Sequence, residues 1–159
     1  MSLLDALLDS WDRNNKILVN LLRALSPGAL EIRSTETSPT VAGLFTHLHY
    51  VRLVLVEEDA PEFAVPVPKE EWSGERDPER IAQMLDQSAK VVRDAVKGRL
   101  ESGRPMDLHY DHPILMLAHM IWHEGYHHGQ IKLALKMAGQ ALDNQEIGSL
   151  TWGVWMKKS

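Results

Sequence analysis

The chain has 159 residues, 44% of them hydrophobic and 25% charged, a balance that suits one domain, residues 1–159, with a core of its own. Its net charge is −5 with basic residues scattered among acids, so it carries no electrostatic footprint for nucleic acid or an anionic membrane. It has no cysteine, which excludes disulfide frameworks, thiolate metal sites and a cysteine nucleophile and leaves histidine and carboxylate as candidate ligands.

In chain order, the N-terminus lacks a basic region followed by a long apolar run, and no later segment reaches transmembrane length, so a cytoplasmic location is expected. From Leu3 to Leu25, residues Leu4, Leu7, Leu8, Trp11, Leu18, Leu21, Leu22 and Leu25 recur at helical spacing, and Pro27-Gly28 closes this first helix. Asn14 and Asn15 interrupt its stripe midway. Residues 28 to 38 form a connection, and Ser38-Pro39 reads as an N-cap followed by proline at the first helical position. Helix two then runs to about Glu58 on a stripe of Val41, Leu44, Leu48, Val51 and Leu55. At about 100° per residue, His47 sits roughly 80° and His49 roughly 120° from the stripe centre, which makes His47 the better inward candidate and His49 a rim residue.

Residues 59 to 76, with Pro61, Pro66, Pro68 and Trp72-Ser73-Gly74, make a connection long enough for a crossover or a flap over a site. Asp77-Pro78-Glu79 starts helix three, whose stripe is Ile81, Leu85, Ala89, Val92, Val96 and Leu100. Asp111-His112 before Pro113 starts helix four, which ends at Gly139 as a C′ residue. The last twenty residues, with Leu142, Ile147, Leu150, Trp152, Val154 and Trp155, read as a short strap on the bundle. The fold class is therefore all-α, a four-helix bundle with a long crossover loop and a C-terminal strapping segment.

Helix four carries the chemistry. His123 and His127 are four residues apart, a spacing that lets two imidazoles on one helix face share a metal ion. They fall roughly 20 to 60° from an apolar stripe of Met116, Met120, Ile131, Ala134, Leu135 and Ala138. Buried adjacent imidazoles are costly unless their nitrogens are occupied. His119 and His128 lie to the sides. Glu124 completes an H-E-x-x-H string and is the candidate catalytic base, although its position about 100° from His123 also fits an ordinary helix-face carboxylate.

The string from His123 to Gln130, the early segment Thr40 to Leu48 and the helix-one pattern around Trp11 and Asn15 resemble the DinB-like (DinB/YfiT) superfamily of four-helix-bundle metal-dependent enzymes. His128 stands where that family commonly has arginine. The resemblance implies a metal triad of His47, His123 and His127. Three neutral imidazoles suit a divalent transition ion, with Zn²⁺ or Ni²⁺ expected, and leave a coordination position for water, a thiol or substrate. It also implies hydrolysis or thiol-dependent group transfer on a small molecule, and a homodimer.

A non-catalytic metal-binding module is the main alternative. A zinc metalloprotease is less favoured, because Gln130 and Leu133 stand where an extended protease motif needs glycine and histidine. Gly125 and Gly129, with Ala118, lie on the outer face of helix four, where they serve either packing within the chain or the approach of a second copy. Tyr50, Trp72 and Trp122 are candidates for the pocket lining.

Overall fold

The computed structural model describes residues 1–158; Ser159, the last residue of the expected strap, lies outside the described residues. Four long helices carry the fold: α1 (Leu3–Arg23), α2 (Val41–Asp59), α3 (Pro78–Glu101) and α4 (Pro113–Met137), followed by a short α5 (Asn144–Ile147) and a 3₁₀ turn over Trp152–Met156. Among the described residues the only extended pairing is an isolated bridge between Arg33 and Thr40. None of the described helices is long and apolar enough to cross a membrane.

The helix ends follow local chemistry. Ser2 and Asp5 form a capping box at α1, and Asp77 caps α3 ahead of Pro78. At the end of α4, Gly139 has φ +72, and the amides of Gly139 and Gln140 reach the carbonyls of Lys136 and Leu135. That left-handed C′ turn is one glycine adopts without steric cost. The expected Ser38-Pro39 cap of α2 is displaced by two residues. Thr40 is the cap, its hydroxyl accepting from the Gly43 amide at 2.9 Å, because the Arg33–Thr40 bridge and a bond from Val41 N to Ile32 O hold Pro39 in extended chain. Ser38 instead closes a hydroxyl-rich turn with Ser34 and Thr35.

Contacts along the helices set their directions. Trp11 meets Ala89, Asn15 meets Asp86 and Arg23 meets Glu79, so α1 and α3 are antiparallel. His49 meets Met84, Arg52 meets Leu85 and Phe63 meets Gly98, so α2 and α3 run parallel. Parallel neighbours need a connection that retraces the bundle, which is why the 60–77 segment is long. α4 runs with α1, giving an up-down-down-up bundle. Where the crossover turns, Phe63 packs on α3 so closely that a Cβ on Gly98 would stand 2.2 Å from Phe63 Cζ.

The core has two apolar layers. One joins Leu18, Leu22, Phe45, Leu48, Ile81, Leu85, Ile131 and Leu135; the other joins Leu8, Trp11, Leu53, Val56, Val92, Val96, Met116 and Met120. The strap lies along α1, with Ile147 and Val154 buried, Asn20 donating to Leu150 O and Arg13 to Val154 O and Lys157 O.

Candidate metal centre

Between the two apolar layers every helix contributes polar side chains. His47 leaves the second turn of α2, a stretch in which all residues from Val41 to His49 are buried. His123 and His127 leave successive turns of α4. The three imidazoles offer nitrogens that all lie within 4.8 Å of one another. His123 Nε2 and His127 Nε2 are 3.1 Å apart, and the His47 ring centroid is 5.4 Å from that of His123 and 4.8 Å from that of His127.

Hydrogen bonding fixes how these rings present themselves. His127 Nδ1 lies 2.7 Å from Gln130 Oε1, so it donates there and its Nε2 keeps a lone pair. His47 Nδ1 lies 2.8 Å from Glu71 Oε1, a contact short of hydrogen-bond geometry, and the Trp72 indole stacks on the same ring at 4.4 Å with planes 6° apart. Both residues come from the crossover, which thus covers His47 as a flap. His123 Nδ1 is buried with no hydrogen-bond partner.

Burial is the first cause lowering the pKa of all three histidines. For His123, repulsion from His127, His47 and His119 adds to burial, and its pKa is pushed down to about 4. His47 is lowered by burial and by His127, against the pull of Glu71; His127 is lowered by burial against Gln130 and Glu124. Neutral rings are the protonation state that a metal site requires. In a tetrahedral zinc centre, nitrogens at about 2.0–2.1 Å from the ion stand about 3.3 Å apart, close to the His123–His127 separation. The donor set fits a divalent transition ion.

Glu124 is not a surface carboxylate. It is 1% exposed, and Arg52, at 0%, grips it through Nε to Oε1 at 2.6 Å and Nη2 to Oε2 at 2.8 Å, while Asn14 Nδ2 donates to Oε2 at 2.5 Å. Arg52 also donates to Asn15 Oδ1, Leu85 O and Ser88 Oγ and lies over the Trp11 ring. One ion pair thereby ties all four helices at the level of the histidines. Asn14 and Asn15, which interrupt the α1 stripe, serve this network.

Arg52 is absent from the sequence-based candidates, yet it is the only Asp, Glu, Lys or Arg between Val41 and Val56, and Glu124 is the only one between Pro113 and Ile131. A lone charge in an uncharged helical stretch asks for a partner of opposite sign.

The other histidines take separate places. His49, expected at the rim, is buried with Nδ1 2.7 Å from Met84 O, because the parallel α3 covers that side of α2. His119 is exposed and pairs with Tyr110 OH at 2.7 Å, its ring 6.2 Å from that of His123. His128 is largely buried, which lowers its pKa. His109 sits on the buried Asp59 at 2.9 Å. Of the aromatic candidates, Trp72 is at the site, whereas Trp122 is 69% exposed and stacks on Tyr126 at the surface.

Comparison with known proteins agrees with this architecture. The DinB family model matches residues 1–152. A crystal structure of a proposed DinB-family member from Exiguobacterium sibiricum 255-15 superposes with a TM-score of 0.59 at 20% identity, covering 90% of this chain and 97% of that one. Comparison with curated proteins gives no match.

Proposed function

This chain belongs to the DinB family, and from that premise we propose that it is a metal-dependent enzyme in which His47, His123 and His127 hold a divalent transition ion, Zn²⁺ or Ni²⁺. The observation that carries the reading is the convergence of three neutral imidazoles from two helices within 4.8 Å. When bound, such an ion supplies Lewis acidity and activates water or a thiol toward hydrolysis or group transfer. The chain's own residues prepare that chemistry: Gln130 orients His127, and Trp72 shields one face of His47 from water.

The substrate in this reading is a small molecule, the class that the family resemblance implies. Both Glu124 oxygens are engaged by Arg52 and Asn14, which favours a structural role for Glu124 over that of general base and weighs against the metalloprotease alternative.

The outer face of α4 supports a second element of the proposal, a homodimer. Leu115, Trp122, Tyr126, Leu133 and Met137 are exposed there, and a Cβ on Gly125 or Gly129 would meet nothing within 4 Å, so those glycines serve no packing among the described residues. Contiguous exposed apolar surface of this kind marks an interaction site.

The test is metal content of untagged protein by mass spectrometry, beside His47→Ala and His127→Ala. Near one ion per chain, lost in both variants with helicity retained, is the expected result. A wild type that takes up no ion on reconstitution, with variants equally stable, refutes the reading. Loading without turnover across an ester, amide and thiol-adduct panel would favour a non-catalytic module.

A further inference from the structure

The crossover has to retrace the length of the bundle, but nothing in that requirement decides which side chains it lays over. It runs across His47. Glu71 Oε1 stands 2.8 Å from His47 Nδ1, near but outside hydrogen-bond geometry, and that buried nitrogen has no hydrogen-bond partner, so a small turn of the Glu71 carboxylate would supply one. Trp72 stacks on the ring with planes 6° apart. One turn earlier on α2, Gly43 faces the same indole, and a Cβ there would stand 3.6 Å from Trp72 Cε3, an ordinary van der Waals contact.

We propose that the crossover loop is a working part of the metal centre, with Glu71 accepting the Nδ1 proton of His47 and thereby aiming the other ring nitrogen at the point His123 and His127 share. The inference rests on the metal-dependent reading above and extends it to a residue outside the triad. Glu71 acts through His47 and is a positioning residue. An imidazole whose far nitrogen donates to a carboxylate has its tautomer and ring orientation fixed and is a stronger ligand. Gln130 does the corresponding work for His127 with a neutral amide, and a carboxylate accepts more strongly than an amide.

The experiment titrates Zn²⁺ against a competing chelator in the wild type, Glu71→Ala, Glu71→Gln and Glu70→Ala, the last altering the exposed neighbouring carboxylate. Imidazole ¹⁵N spectra of the metal-free proteins report the His47 tautomer. Expected are a loss of affinity of about 10- to 100-fold in Glu71→Ala, partial recovery in the isosteric Glu71→Gln, no change in Glu70→Ala, and a fall in the Nδ1–H population of His47 with circular dichroism unchanged. A Glu71→Ala protein that binds within about twofold of a wild type loading one ion overturns this proposal alone, because a real partner is worth at least tenfold. A wild type that binds no Zn²⁺ overturns it together with the metal-dependent reading.

Discussion

Removing either half of the Arg52–Glu124 pair has a large and asymmetric expected cost. The guanidinium, at 0% exposure, makes five hydrogen bonds: two to Glu124 and one each to Asn15, Leu85 and Ser88. At an effective dielectric of about 20, charges about 4 Å apart attract by about 4 kcal/mol, and breaking a buried pair by deleting one partner costs about 3–5 kcal/mol. Glu124→Ala leaves a cation that cannot shed its proton, so it should lose about 4–5 kcal/mol. Arg52→Met leaves a buried carboxylate still held by Asn14, so its cost should be about 3 kcal/mol.

The double variant Arg52→Met with Glu124→Leu, which replaces both charges by apolar groups of similar volume, should recover most of the loss. Urea unfolding of metal-free protein measures all three. Either single variant within about 1 kcal/mol of the wild type, or a double variant no better than the worse single one, would refute a buried, mutually dependent pair.

Three further outcomes are expected. For His123, ordinarily near 6.5 and here about 4, the unfolded chain takes up a proton first as pH falls. Metal-free stability should therefore be level above pH 7 and decline between about 6.5 and 4, by roughly 1–3 kcal/mol after allowance for partial exposure, in a pH series of thermal melts; stability that rises across that window refutes it. Gly98→Ala places its new Cβ 2.2 Å from Phe63 Cζ and should cost about 1–3 kcal/mol by denaturant midpoint, with Phe63→Leu relieving part of the loss; a neutral Gly98→Ala would show that Phe63 does not pack there. Gly125→Ala and Gly129→Ala meet no neighbour and should each stabilise dilute protein by up to about 1 kcal/mol while weakening association measured by light scattering; unchanged association would place any dimer on another face.

The histidine pair was legible because i, i+4 spacing is local: the helix alone puts His123 and His127 side by side. The same holds for the helices, whose apolar periodicity survives almost to the residue, and for Gly139, whose left-handed turn needs only the end of its own helix. His49 is buried although it lies roughly 120° from the α2 stripe, because α2 has more than one buried face. The first half of that helix is enclosed all round by α3, α4 and the crossover, so angular distance from the apolar stripe no longer tells inside from outside. The α2 cap moved for a related reason, since the bridge to Arg33 and the bond to Ile32 are made by residues several positions upstream.

By itself, then, the amino-acid sequence determined what repeats within a helix or ends it, namely the all-α class, four long helices and the His123–His127 pair, and its family signature added His47. Tertiary structure alone decided the rest. It ran α3 parallel to α2, laid Glu71 and Trp72 over His47, and joined Arg52 to Glu124 across 72 residues of chain. Those pairings depend on which helices become neighbours, and that is settled by burying two apolar layers at once with the Arg52–Glu124 pair bonded between them, a condition that no single segment carries.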